Sequence, residues 1–402
     1  MSEPLPLDGV RVVEFCHTIM GPSCGLVLAD LGAEVIKVEA APAGDHTRKL
    51  YGFASGFFTT FNRNKRSVAI DMKSPEGKAV VERLVASADV LLENYGPGTM
   101  DRLGFGWDAV RKINPRLVYC SLKGFLSGPY EHRPALDEVV QYMSGLAYMT
   151  GLPGRPLRAG TSIVDIMGGV FGVVAILAAL RERDRTGKGE FVKSALFESA
   201  AFLVAQHMAA ETITGMAPPP MSMRHAAWGV YDMFEAKDGT PLFVGVTSNN
   251  HWTSFCKALG RPELLEDPEL QTNEARVAAR ARLTPIVAEL IAQHDAAELF
   301  EIFERERIPF SPVAVPGDLF DDPQLAAHGG LLETETPSGG ATQIPALPIE
   351  LGEHELGLRG QPPKLGADTA EVLREIGYAP EEIEKLRAAG VIVAAPSKAA
   401  AV

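Results

Sequence analysis

Apolar positions in the first 125 residues alternate between two spacings. Val10–Phe15 (VRVVEF) is short and β-branched and predicts a buried strand. Gly21-Pro22 breaks it, and Ser23–Leu31 (SCGLVLADL) carries apolar residues at helical spacing. Gly32 ends that helix and Glu34–Glu39 (EVIKVE) predicts a second strand. Strand, glycine turn, helix, strand is a βαβ unit, which requires parallel pairing. The rhythm continues with a helix over Pro75–Ser87, a strand over Asp89–Glu93, a helix over Trp107–Ile113 and a strand over Leu117–Ser121. The pattern predicts an α/β class with a doubly wound, Rossmann-like sheet.

The pattern then changes. Residues 137–215 read as mostly helical, and Asp165 stands just before a long apolar stretch, Ile166–Arg183. The longest apolar run, Gly168–Leu180, is too short to span a bilayer and predicts a buried core helix rather than a membrane partner. Gly215 and Pro218-Pro219-Pro220 mark a linker over 212–224. A second compact unit begins at Trp228, with strands at Gly229–Phe234 and Leu242–Val246 joined by an Asp238-Gly239 hairpin turn. Helices follow at His251–Leu259 and Arg282–Ala292, then a strand-like Phe310–Val315. The unit ends near residue 330, a Gly/Pro-rich return leads to a last helix, Asp368–Ile376, and APSKAAAV reads as a frayed tail. The domain plan is therefore 1–215, 225–330 and a return over 331–402. No internal repeat is visible.

Composition narrows the function. The chain has 402 residues, enough for two domains, with 46% hydrophobic and 22% charged residues, as in a globular protein with a full core. Its net charge of −13 offers no global field for nucleic acid, although a small anion needs only a local basic pocket. Cys16, Cys24, Cys120 and Cys256 are scattered, with no metal-ligand spacing, which predicts reduced thiols, no metal site and a cytoplasmic enzyme. The acidic, polar start MSEPLPLDG is no signal peptide. A G-x-G-x-x-G fingerprint is absent after the first strand, so nothing supports a nicotinamide cofactor.

Two local features suggest chemistry. Asp165, in SIVDIMGG, reads as a helix N-cap, but its Ile, Val and Met flanks would strip its hydration and favour the neutral form, while helix-start amides would favour the anion. Gly168 and Gly169 would let backbone approach closely and offer N–H donors to a developing oxyanion. Asn94-Tyr95-Gly96-Pro97-Gly98 follows a strand at its carboxyl end, where ligands dock in open α/β sheets. Arg63, Lys65 and Arg66 form a basic cluster that reads as a solvated loop or a phosphate contact.

Longer stretches carry a resemblance. DGVRVVEF with GP and LADLGAEVIKVE, FNRNKRSVAIDMKSPEG, ENYGPGTMDRLGFGWDAVRKINPRLVYCSLKGF, RAGTSIVDIMGGVFGVVAILAALRERDRTGKGE, DDPQL and PPKLGADTAEVL together resemble the class III CoA transferases, the family of formyl-CoA and carnitine CoA transferases. The same superfamily includes α-methylacyl-CoA racemases. The resemblance covers nearly the whole chain. It implies an interlocked homodimer of ring-like subunits, each with a large Rossmann-like domain from both termini and a smaller α+β domain between. It implies acyl-CoA and a small carboxylic acid as substrates, with coenzyme A a substrate and no tightly bound cofactor. Asp165 matches the Asp that is acylated in catalysis, and Asp137 an acidic position near it that would orient nucleophile or substrate; its local reading is another helix cap. His17, Asn94, Tyr95, Arg102 and Lys123 match positions that contact CoA, where loop His or Lys residues alone would read as solvated.

The family's racemases carry a His where this chain has Leu136, just before Asp137, and leucine cannot carry a proton. That favours the transferase and leaves the racemase as the alternative. Formyl-CoA transferase has a Gln where this chain has Ile19, and a glycine-rich flap where it has Pro218-Pro219-Pro220. A larger dicarboxylate is therefore expected, such as succinate, malate, citramalate, itaconate or mesaconate. Its distal carboxylate would want an arginine, with Arg48, Arg158 and Arg224 as candidates.

Overall fold

The computed structural model describes residues 4–223 and 227–394. Arg224 and the APSKAAAV tail lie outside the described residues. The chain divides into two compact units, Met1–Ser222 with Pro323–Val402, and Met223–Asp322. The sequence places the return at 331. The first unit instead resumes at Pro323, and its returning chain is held by Asn64, whose side chain donates to Gly357 O (2.8 Å) and accepts from the amides of Arg359 (2.7 Å) and Gly360 (2.8 Å).

In chain order the strands are β1 Arg11–Phe15, β2 Glu34–Ala40, β3 Lys65–Ile70, β4 Val90–Glu93, β5 Val118–Lys123, β6 Phe191–Ala195, β7 Val230–Glu235, β8 Pro241–Val246, β9 Phe310–Pro312, β10 Leu331–Glu335, β11 Ala341–Pro345 and β12 Ile392–Val393. The first unit is built on a seven-stranded sheet in the order β12-β3-β2-β1-β4-β5-β6. The helices that pack on this sheet include α1 Met20–Asp30, α2 Pro75–Ser87, α3 Trp107–Ile113, α4 Asp137–Met143, α5 Ile163–Thr186 and α6 Leu196–Thr214. All strand pairs in the sheet are parallel except β12 with β3. Successive residues face opposite sides, so Val12 packs under α1 and α5 while Val13 packs under α2 and the C-terminal helices. The chain winds from β1 to β2 and β3 on one side, then returns to β4, β5 and β6 on the other. The switch point therefore lies between the carboxyl ends of β1 and β4.

The second unit is an antiparallel β7-β8-β9 sheet against helices Asn249–Ala258, Arg280–Ile291 and Ala296–Arg305. Its hairpin turn is at Asp238-Gly239, where Gly239 adopts φ +82° and the Asp238 carboxylate accepts from Thr240 N at 3.0 Å. β9 stops at Pro312, short of the expected Val315, because β8 begins at Pro241, to whose carbonyl Val313 N makes a last bond at 3.2 Å.

Three expectations are corrected. Gly21-Pro22 does not break the chain; it sits in the first turn of α1, where the missing proline N–H is not needed. The apolar helix is not uniformly buried. α5 runs 24 residues, long and apolar enough by length and composition to cross a membrane, and buries one face (Val164, Val173, Ile176, Leu180) while Val170, Val174 and Leu177 face outward. The basic cluster is neither loop nor phosphate site. Lys65 and Arg66 lie on β3, a strand hidden in the sequence by its charges, and all three cations are spent internally. Arg63 pairs with Asp30 at 2.6 Å, Arg66 with Glu34 and with Glu375 at 2.9 Å, and Lys65 with Glu14 at 2.8 Å.

Glu14 is the centre of a dry network. Its carboxylate also meets Lys37 at 3.3 Å, and Lys37 reaches Asp45 at 2.9 Å and Cys16 O at 2.8 Å. Glu14, Lys37 and Lys65 side chains are fully inaccessible to solvent. Removing one partner of a buried pair strands the other charges. Glu14→Gln leaves two buried ammonium groups around a neutral amide and is expected to destabilise the protein by about 3–5 kcal/mol. Urea unfolding measures this; a loss below ~1 kcal/mol, the scale of an exposed ion pair, would refute it.

Candidate active site

Where β1, β4 and β5 end, their last side chains and following loops open onto a cleft of about 480 Å³. β1 delivers His17, β4 delivers Asn94 and Tyr95, and β5 ends on Lys123. The start of α4, the loop before α5 and the first turn of α5 add Leu136, Asp137, Arg158 and Asp165 to the wall. The cleft thus lies at the switch point of the sheet, the position that parallel α/β topology leaves open for a ligand.

Asp165 is not a helix cap. α5 begins at Ile163 with Ser162 as its cap residue, so Asp165 is the third residue of the helix and points from its first turn into the cleft wall. The cap is Asp137, acting from another helix. Its Oδ2 accepts from the amides of Val164 (2.9 Å) and Asp165 (3.1 Å). Gln141, one turn along α4, donates to Asp137 Oδ1 at 2.5 Å and accepts from Ala159 N at 2.9 Å, which fixes the carboxylate and the loop into α5 together. The amides expected to stabilise the Asp165 anion are therefore occupied by a second carboxylate. Burial and the neighbouring Asp137 charge raise Asp165 to about 7, against a smaller opposing pull from Arg158.

Gly168 and Gly169 do not serve as oxyanion donors. Both are buried beyond the first turn of α5, where amides belong to the helix's own ladder. A Cβ on Gly168 would stand 2.5 Å from Met20 Cε, and one on Gly169 would stand 2.7 Å from Met20 O. They are glycines because α1 crosses α5 there, at the closest approach of the two backbones.

The five residues expected near CoA are held in different ways. Asn94 clamps the turn after β1: its Oδ1 accepts from His17 N at 3.0 Å and its Nδ2 donates to His17 O at 2.8 Å. The turn needs that clamp, because Thr18 sits at φ +68°. His17 stacks on Tyr95 with ring centroids 5.7 Å apart, and burial lowers its pKa. Lys123 donates to Glu93 at 2.6 Å and to Tyr95 O at 2.5 Å, so its charge is already compensated. Arg102 is not brought to the cleft wall; it is exposed and donates to Thr99 Oγ1 at 2.8 Å.

Arg48 is also withdrawn. It makes a two-point bond to Glu39 (2.8 and 2.7 Å) and covers the Phe58 ring at 3.8 Å. Arg158 remains, on the cleft wall. The sequence reading missed Gln141, Glu138 and the aromatic pair Phe53 and Phe57, which also line or brace the cleft. Only Gln141 left a trace, the four-residue spacing from Asp137 on one helix face.

The model of CoA-transferase family III matches residues 7–369. A succinyl-CoA:glutarate CoA-transferase of Mus musculus is 36% identical over 96% of this chain and 90% of its own length. The succinate–glutarate CoA-transferase of Agrobacterium fabrum is 34% identical over 92% of this chain and 96% of its own. Among solved structures, a CAIB/BAIF family protein from Brucella suis superposes with a TM-score of 0.83 at 34% identity, covering 93% of this chain and all of that one.

The electrostatics of Asp165 can be checked directly. Its ¹³C carboxyl resonance is expected to titrate near 7 and to move to lower pH in Asp137→Asn, which removes the like charge but keeps an amide-accepting oxygen. A midpoint near 4 in the wild type, or no shift in the variant, would rule out this arrangement. Because the folded pKa is raised, the folded state binds the extra proton, so this group's contribution to stability is full below its unfolded pKa and declines as pH rises toward 7.

Proposed function

The chain belongs to CoA-transferase family III and is a CoA transferase, and from that premise we propose that it exchanges CoA between two dicarboxylic acids through covalent intermediates on Asp165. The observation that carries this reading is the carboxylate of Asp165 itself: it faces the cleft at the sheet's switch point, is half-buried, and receives no hydrogen bond among the described residues. Such a carboxylate is basic for its kind and so more nucleophilic once ionised.

The steps conserve the acyl activation. Asp165 attacks the thioester carbonyl, forming a mixed anhydride and expelling CoA thiolate. The thiolate attacks the aspartyl carbonyl, giving an enzyme thioester and releasing the donor acid. The acceptor carboxylate attacks that thioester, giving a new anhydride and thiolate. The thiolate then attacks the acceptor's acyl carbonyl, which yields the new acyl-CoA and restores Asp165. Water must be kept from both intermediates, and the apolar wall of Leu136, Phe53 and Phe57 suits that need. His17, Tyr95 and the Asn94-braced turn are proposed to receive the CoA chain, with Asp137 holding the nucleophile's helix.

Dicarboxylates are favoured by the relatives named for succinate and glutarate and by one named for L-malate in Chloroflexus aurantiacus, 33% identical over 96% of this chain. The racemase alternative loses its second proton carrier: Leu136 stands on the cleft wall beside Asp137. A homodimer is also proposed. Val170, Val174 and Leu177 on α5 and Phe202, Met208 and Ile213 on α6 are exposed apolar side chains on two contacting helices, the kind of surface a partner subunit would cover.

Hydroxylamine trapping during turnover tests the chemistry. Incubation with succinyl-CoA and glutarate is expected to yield a hydroxamate at Asp165 by peptide mass spectrometry, and Asp165→Ala is expected to abolish both adduct and glutaryl-CoA. An adduct at another carboxylate would overturn the assignment. Light scattering is expected to give twice the chain mass; a monomer would remove the dimer.

A further inference from the structure

The cleft holds four cationic or titratable basic side chains. Lys123 is bonded to Glu93 and to Tyr95 O, burial lowers the pKa of His17, and Arg133 is exposed over the Tyr130 ring at 4.8 Å and, unlike Arg158, exerts no pull on Asp165. Arg158 differs. Its Nη1 meets Glu138 Oε1 at 2.7 Å, its Nη2 stands 3.9 Å from Asp137 Oδ1, and its Nε–H is buried without a partner. The guanidinium therefore holds fewer bonds than its planar fork allows. The partners are unequal in exposure: Glu138 is 55% exposed and Arg158 24%. A carboxylate so open to water gains little from its pair and is readily exchanged for another.

We propose that Arg158 is the receptor for the second carboxylate of the dicarboxylic acid, and that Glu138 occupies it until the diacid binds. This rests on the transferase reading above and adds the residue that selects the substrate. Arg158 acts on the same wall as Asp165 and lies close enough to lower its pKa. The diacid can thus present one carboxylate to the reacting centre and the other to the guanidinium. Timing favours the same assignment. While Asp165 is ionised, three carboxylates surround Arg158 and repel a further anion. Once Asp165 is acylated its charge is gone, so the site attracts the acceptor at the stage when the acceptor must enter. An acid with one carboxylate leaves the Arg158–Glu138 pair as it is and gains nothing from it.

The test compares transfer from succinyl-CoA to glutarate and to pentanoate, which has the same length without the second carboxylate. In a reaction of this covalent type, kcat/KM for the acceptor concerns only the acylated enzyme, so effects on the donor cancel in the ratio. The wild type is expected to prefer glutarate. Arg158→Ala is expected to lower the glutarate-to-pentanoate ratio by about tenfold to hundredfold, the scale of lost charge-assisted bonds. Arg158→Lys, which keeps the charge without the fork, is expected to fall between and serves if the alanine variant does not fold. Where pentanoate transfer is undetectable, the KM for glutarate is the readout and should rise at least tenfold. Glu138→Gln removes the rival carboxylate and should lower that KM. An unchanged ratio in both arginine variants, a glutarate KM that rises in Glu138→Gln, or a wild type indifferent to the second carboxylate would each overturn the proposal while leaving the transferase intact. A wild type that forms neither acyl-CoA would instead refute the transferase reading on which it rests.

Discussion

The site depends on one interaction: the carboxylate of Asp137 seated on the amides that begin α5. A helix start offers a few free N–H groups, and an anion placed there is stabilised by them and by the helix dipole. Asp165 stands in that first turn and would be the natural beneficiary. Because Asp137 reaches in from α4 and Gln141 holds it there, the benefit goes to Asp137 instead. Asp165 is left without those amides, half-buried and beside a like charge, with its pKa raised to about 7.

The wall facing this pair is positioned by burial of charge beneath it. Glu14, Lys37, Lys65 and Asp45 tie β1, β2, β3 and the loop after β2 into one dry network. Lys37 and Lys65 also donate to Cys16 O and Pro22 O, on either side of the turn that carries His17. Asn94 completes the bracing from β4. The strained turn at Thr18 is thus held from three strands, as a residue in left-handed conformation must be. Glycines complete the scaffold on the other side, where Gly168 and Gly169 let α5 lie against α1 and so set how deep Asp165 sits.

Much of this was legible in the chain. The alternation of β-branched runs with helical spacing located β1, β2, β4, β5, α2 and α3 to within two residues, since each buries an apolar face that its own period reveals. β3 and β6 escaped because their strands begin or continue with charged residues whose partners, Glu14 and Glu34 for β3, come from elsewhere in the sequence. Asp165 was visible as an acid among apolar flanks, and Arg158 as one arginine among three. No pattern in the sequence separated Arg158 from Arg48, whose guanidinium is fully engaged by Glu39 and Phe58.

The sequence by itself determined the fold class and the family, because these follow from local periodicity and from motifs spread over nearly the whole chain, and it singled out Asp165 as an acid among apolar flanks. Tertiary structure alone decided what each charged or polar residue is for. It made Asp137 a cap for a helix 26 residues away in sequence terms of its amides' start at Ile163 and turned Asn94 into a clamp. It turned Gly168 and Gly169 into a helix crossing and withdrew Arg102 from the cleft wall. The physical reason is the same throughout: a charge or hydrogen-bonding group is defined by its partner, and the partners here are brought together by folding across distances that no local pattern records.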